Sequence, residues 1–309
     1  MAEFLDLLPQ TLVNGLTLGS VYALIALGYS MVYSILKLLN FAHGDIYMIG
    51  GYLGYGALIL MSTEEGLLIP AAVIIVVMLL VAMVGAGLVS VAVERFAYRP
   101  LRYAPRIAPL ISALGVSFIL QNMVQITVSP RPLSYGSGTL IPTNAVFNVS
   151  DLRVHFSRLL VIGTSLVLML GLTYFVRSTR LGRAMRAVSM DLDAAQMMGV
   201  NVDQVIVATF FIGAALAGAA GVLVGIVFFN IRHTMGFLAG LKGFTAAVIG
   251  GIGSIPGAAL GGLLLGLAEA FASVYISITF KDAIAFVLLL IFLLLRPNGL
   301  MGKPTIQKV

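Results

Sequence analysis

Three histidines, twelve acidic side chains and no cysteine are what this 309-residue chain could bring to metal or nucleophilic chemistry. His43, His155 and His233 are scattered along the chain. Without cysteine, neither a thiolate metal site nor a disulfide can form. No paired catalytic set accompanies the histidines, so no catalytic residue and no metal ligand is assigned. No G-x-x-x-x-G-K-S/T phosphate loop occurs, so the chain does not hydrolyse ATP by that route and is not read as an enzyme. No cofactor bound by this chain is expected.

The remaining polar chemistry interrupts apolar surroundings at a few points. Asn40-Phe41-Ala42-His43-Gly44-Asp45 places three polar side chains between two apolar runs. Gly44 permits an unwound backbone, and Asp45 falls in the first turn of the following helix, where the dipole favours an anion. Two readings stand. Asn40, His43, Gly44 and Asp45 form a broken helix that lines a substrate pathway and offers backbone groups to a zwitterion, or the segment is a tight turn with Asp45 as its cap. Asn40-x-x-His43 is echoed by Asn230-x-x-His233, but two four-residue matches are short, and chance is the expected explanation. Lys242 and Glu269 are ionisable groups inside apolar runs, which are expensive in lipid. Both are expected near span ends, where snorkelling suffices.

The elements that must carry these residues are membrane helices. Of the residues, 60% are hydrophobic and 10% charged, with a mean hydropathy of +1.07. Soluble domains carry about 25% charged residues. Pro9 to Leu36, Leu67 to Val93, Ile107 to Ser129 and Gln204 to Ile231 contain no Asp, Glu, Lys or Arg, and each supplies the roughly 20 apolar residues that cross a bilayer as a helix. The short alternating segments of a membrane barrel are absent. The expected fold is an all-α, polytopic transmembrane helical bundle of eight to nine spans, with room for re-entrant or broken helices. Residues 1–309 are read as a single transmembrane domain. The first ten residues hold Glu3 and Asp6 and no basic residue, unlike a cleavable signal peptide, so Pro9 to Leu36 is read as a retained span.

Two basic clusters orient the bundle. Arg95, Arg99, Arg102 and Arg106, and Arg177, Arg180, Arg183 and Arg186, belong on the cytoplasmic side, separated by spans near 107–128 and 159–176. The net charge of +6 reports orientation and not nucleic-acid binding. Glu64 and Glu65, the loop 129–158 and the N-terminus then lie outside. Residues 236–252 either dip in and return or cross. Crossing is favoured, giving nine spans and placing Arg296, Lys303 and Lys308 inside. Glycines at four-residue spacing, such as Gly15–Gly19, Gly50–Gly54 and Gly262–Gly266, indicate close helix packing in a tight and oligomeric bundle.

The cytoplasmic stretch 177–203 carries Asp193-Ala194-Ala195, three residues, then Gly199. Small side chains give a helix face that a partner can approach, and Gly199 can end that helix at positive φ. The pattern resembles the coupling loop of ABC-importer permeases, with Asp193 in place of the usual Glu and without the Ile-x-Leu-Pro ending. Asn40 to Asp45, the run Val93-Glu94-Arg95-Phe96-Ala97-Tyr98-Arg99-Pro100-Leu101-Arg102 and Ala246 to Gly257 extend the likeness. The chain is similar, from about Asn14 to Gly302, to branched-chain amino-acid ABC permeases, and to the shorter of that family's two permeases. The resemblance implies a bacterial inner-membrane protein embedded in lipid. It implies a homologous second permease, two ABC ATPase subunits that use the ATP and a periplasmic substrate-binding protein. It also implies uptake of leucine, isoleucine and valine, with urea or short amides as the alternative cargo. Arg183, Asp193, Ala194, Ala195 and Gly199 are the residues it assigns to ATPase contact. An ion-coupled transporter or channel using Asp45, Lys242 or Glu269 is the competing class, and it would have no reason to keep the Asp193 loop.

Overall fold

A computed structural model describes residues 2–63, 66–102, 104–105, 107–136, 140–142, 145–149 and 152–302. Glu64, Glu65, Arg106, Lys303 and Lys308, used above for orientation, and parts of the loop 129–158 lie outside the described residues. The chain is helical nearly throughout. Its helices are α1 (Ala2–Leu36), α2 (His43–Leu60), α3 (Ala71–Val93), α4 (Ile107–Thr127), α5 (Phe156–Ser178), α6 (Arg180–Met190), α7 (Leu192–Met197), α8 (Val202–Phe228), α9 (Met235–Gly250), α10 (Ile255–Tyr275) and α11 (Lys281–Leu295). A π-turn at Glu94–Tyr98 and a 3₁₀ turn at Arg99–Leu101 prolong α3. Three two-stranded antiparallel ribbons complete the description: β1 (Ser62–Thr63) with β2 (Gly66–Leu67), β3 (Leu133–Ser134) with β6 (Asn230–Ile231), and β4 (Val146–Val149) with β5 (Leu152–His155).

Among the described residues, seven helical segments are long and apolar enough to cross a membrane. Helices satisfy every backbone group internally, which hydrocarbon demands. The other two candidates, α2 and α9, have 18 and 16 residues and are shorter because each begins inside the bundle. Both basic clusters sit at one end of the molecule, since Arg99 and Arg102 pair with Asp203 at the start of α8, just beyond α7. By the charge bias, that end is the expected cytoplasmic one, and it is called the inner end below. The end of α11 joins it, with the amides of Leu300 and Met301 donating to the carbonyls of Ile249 and Gly250 at the end of α9. The stretch 236–252 therefore crosses, as favoured above, and the described chain finishes on the inner side.

Helices α1 and α8 form the enclosed centre, whereas α4, α5 and α11 expose most of their apolar side chains. The glycine stripes meet within the chain. Gly19 and Gly266 bring α1 and α10 into backbone contact, and Gly50 and Gly218 do the same for α2 and α8. These stripes pack helices within the chain, as the tight bundle expected above requires, and the oligomeric part of that expectation does not rest on them.

The order of elements repeats with reversed direction. Helices α1 to α4 run inward, outward, inward and outward. Helices α8 to α11 run outward, inward, outward and inward. Their packing repeats too: α1 lies along α10 as α3 lies along α8, and α2 packs on α3 as α9 packs on α10. The only described non-glycine residues with positive φ are Lys37 (φ 53) and Phe229 (φ 55). Each is the first residue after its helix, α1 ending at Leu36 and α8 at Phe228. Lys37 corresponds to Phe229 and Gly44 to Gly236 in this inverted arrangement, which leaves Asn40-x-x-His43 and Asn230-x-x-His233 two residues out of register, so the repeat does not explain the short echo.

Candidate functional site

After α1 the chain does not simply turn. The ring of His43 packs on Gly28, eight residues back from the inner end of α1 at Leu36, so residues 37–42 climb about 12 Å into the bundle before α2 starts. On the outer side, residues 229–234 descend in the same way before α9. The first turns of α2 and α9 then lie side by side, with Gly44 against Gly236 and Gly240. From Gly44 to the outer end of α2 is 16 residues, and from Gly236 to the inner end of α9 is 14. At 1.5 Å per residue these are about 24 and 21 Å, which puts the junction near the middle of the bilayer.

Asp45 is the charge at this junction. It is fully enclosed, lies in the first turn of its own helix and touches Gly236 in the first turn of α9. Two positive helix ends converge on one carboxylate. Its Oδ1 accepts from Gln121 Nε2 on α4 at 3.0 Å, and Gln121 also donates to Ser117 at 3.2 Å. His43 stands edge-on to Tyr29 at 4.8 Å between centroids, and Tyr98 donates to Asn40 Oδ1 at 2.6 Å. Nδ2 of Asn40 and Nε2 of His43 have no partner within the chain. Asn40, His43, Gly44 and Asp45 are thus brought together as the sequence suggested. All four are buried or nearly so, and among the cavities found none opens onto Asp45. A ligand reaches them only if α2 and α9 part.

Lys242 and Glu269 do not snorkel. Both are 3% exposed and form an ion pair of 2.7 Å. Tyr22 on α1 donates to the other Glu269 oxygen at 2.8 Å, and Lys242 also pairs with Asp282 at 2.5 Å. Lys242 lies seven residues into α9, so its ammonium stays inside because two carboxylates meet it there, and a span end is not needed. This network binds α9, α10, α11 and α1 together.

At the inner face, α6 leads into α7. Asp191 caps α7 by accepting from the Ala194 amide at 2.9 Å, and Gly199 follows at φ +82, the left-handed geometry expected of it. Asp193 and Ala194 face outward, together with Met190, Met197 and Met198, which are 84%, 87% and 84% exposed. Ala195 departs from expectation: it is buried against the chain's own core, so an approaching partner meets Ala194 and the methionines. Arg183 is exposed and donates to the Ser178 carbonyl. Behind α7, Arg102 joins Glu94 and Asp203, and Arg99 joins Asp203. These bonds tie the end of α3 to the start of α8. Sequence reasoning missed this tie because its partners lie about a hundred positions apart. Ser117 and Gln121 were readable, as two polar residues four apart on one face of an apolar helix.

Outside, Tyr135 is enclosed between α2 and α8, its hydroxyl donating to the Gly51 carbonyl and its ring over Gly225. Arg131 and Arg153 are exposed. Arg158 instead donates to Asn14 on α1 and is not free for a docking partner.

The family described as "Branched-chain amino acid transport system / permease component" matches residues 11–293. The chain is 46% identical over 307 residues to the high-affinity branched-chain amino acid transport system permease protein BraD of Pseudomonas aeruginosa, covering 97% of each chain. It is 45% identical over 318 residues to the corresponding LivH of Escherichia coli K12, covering 99% of each. Over 312 residues it is 27% identical to a probable branched-chain amino acid transport permease protein LivH of Methanocaldococcus jannaschii, covering 96% of this chain.

Proposed function

The chain belongs to the branched-chain amino acid transport permease family, and from that premise we propose that it is the membrane-spanning subunit of an ATP-driven importer. Its cargo is leucine, isoleucine and valine, received from a periplasmic binding protein. A homologous second permease completes the membrane portion, and two ATPase subunits supply the energy. The observation that carries the reading is identity of 45–46% along almost the entire chain to permeases named for this cargo. The local geometry agrees with it: α7 is a short, capped helix whose exposed face is Asp193, Ala194 and protruding methionines, a shape suited to a groove on another protein. Arg183, Asp193, Ala194 and Gly199 form or flank the ATPase contact, while Ala195 anchors α7 to the body. Asn40, His43, Gly44 and Asp45 form the midpoint of the path, and movement of α2 against α9 exposes it.

The test uses Gly199→Val and Ala194→Trp in the complete complex. Valine disfavours the left-handed backbone that ends α7, and tryptophan fills the partner-facing side without touching a span. Both variants are expected to insert normally and to lose either the co-purified ATPases or ATP-driven leucine uptake in vesicles. Normal co-purification together with normal uptake in both would sink the coupling assignment.

A further inference from the structure

The two re-entrant segments correspond by inversion, yet they are packed differently. Residues 37–39 on the inner side stand between two open clefts. One, of about 620 Å³, is walled by Leu36, Leu38, Arg102, the α7 residues Leu192 and Gln196, and Gly199 just after that helix. The other, of about 230 Å³, is bounded by Tyr33, Lys37, Pro109 and Leu110. On the outer side, Asn230 and Ile231 are paired with Ser134 and Leu133 as β6 and β3, and Ile231 is fully enclosed. Tyr135 is bonded to the Gly51 carbonyl just beneath. The space left there is about 10 Å³, barely the room of one water.

We infer that residues 37–42 and 229–234 are the inner and outer gates of one pathway through the Asp45 junction, and that the strap 133–135 is the bolt of the outer gate. The inference rests on the permease reading and adds the moving parts to it. The inner segment has room to swing, and one wall of that room is α7, so a partner gripping α7 acts directly on the inner gate. The outer segment cannot move until β3 separates from β6 and the Tyr135 side chain leaves the crevice between α2 and α8. The structure therefore holds the outer gate bolted and the inner gate slack. That asymmetry between two corresponding segments is what an alternating mechanism requires of one of its end states.

The chain has no cysteine, so introduced thiols report without interference once its partners are cysteine-free. Ser134 and Asn230 are directly opposed, at the roughly 4.5–5.5 Å Cα separation of paired strands, which a disulfide spans. The complete complex carrying Ser134→Cys and Asn230→Cys, with each single variant as control, is reconstituted in vesicles. Thiol titration scores cross-linking, and leucine uptake is read before and after reductant. The expected result is a cross-linked complex that retains its ATPases, loses uptake at least tenfold and recovers it on reduction. In parallel, Leu38→Cys is expected to react with an impermeant maleimide from the inner face without nucleotide and to be protected when the ATPases are trapped with vanadate. Full uptake by the cross-linked complex, or failure of the pair to cross-link, overturns the outer gate. Equal labelling of Leu38→Cys in both states overturns the inner one. If the cysteine-free complex itself takes up no leucine, the cargo reading fails instead, and the labelling still decides the gates.

Discussion

Lys242 holds its ammonium between Glu269 and Asp282, enclosed on all sides except near Asp282. Removing one partner of such a pair strands a charge, which costs about 3–5 kcal/mol, whereas replacing both partners by apolar groups is often neutral. Lys242→Met is therefore expected to lower the thermal unfolding temperature of the purified chain sharply, and Lys242→Met with Glu269→Met to recover most of the loss. Equal stability of single and double variants would show that the pair is not coupled. Asp45 makes a different case, because it faces helix ends and a neutral amide. Asp45→Asn keeps the contact with Gln121 but removes the anion shared by α2 and α9. Uptake should fall while assembly with the ATPases persists, and normal uptake would mean that the junction's charge is unused. At this scale the sequence singled out residues that lie enclosed within the bundle but misjudged their surroundings. Asn40, His43, Gly44 and Asp45 stood out because polar groups are rare in apolar runs. Lys242 and Glu269 stood out for the same reason, yet their pairing joins positions on separate helices, and hydropathy alone could offer only snorkelling.

Glycine decides how closely the elements approach. A side chain on Gly266 would collide with the backbone of Gly15 and Gly19, whereas Gly115, Gly163 and Gly171 face open space. Gly266→Leu is expected to abolish stable insertion, as read from membrane yield. Gly163→Ala in the middle of α5 should raise thermal stability by up to about 1 kcal/mol through helix propensity alone, and a loss of stability there would indicate a contact that α5 makes outside this chain. The long spans were legible because 20 apolar residues can hardly be anything else. Helices α2 and α9 were legible only as interruptions. Their common starting depth depends on segments 37–42 and 229–234, whose sequences share no matching pattern in register. Positive φ at Lys37 and Phe229 costs roughly 1–2 kcal/mol each and leaves no mark in composition.

For the whole molecule, the two basic clusters and the end of α11 lie on one side, and the β4–β5 ribbon lies on the other. In right-side-out membranes, Phe147→Cys should react with an impermeant thiol reagent and Met197→Cys should not, with the reverse in inverted vesicles; both positions are well exposed. The same pattern of labelling for both variants would break the topology. Charge counting supplies this orientation, which the labelling tests, and it favoured nine crossings because lysine and arginine bias needs no tertiary structure. The relation between α1–α4 and α8–α11 was not legible, since it resides in direction and packing.

That relation carries a condition of parity. Four crossings return a chain to the side from which it set out, so a second set of four can be upside down only if an odd crossing is inserted between them. Helix α5 is that crossing. It packs loosely for a central segment of the chain, as a linker between halves can afford to, and its inner end delivers α6 and α7 to the cytoplasmic face. On the proposed function, the segment offered to the ATPases is the seam between two opposed copies. If that proposal holds, a force applied at the seam would act on both copies at once and in opposite senses, slackening one end of the path while tightening the other.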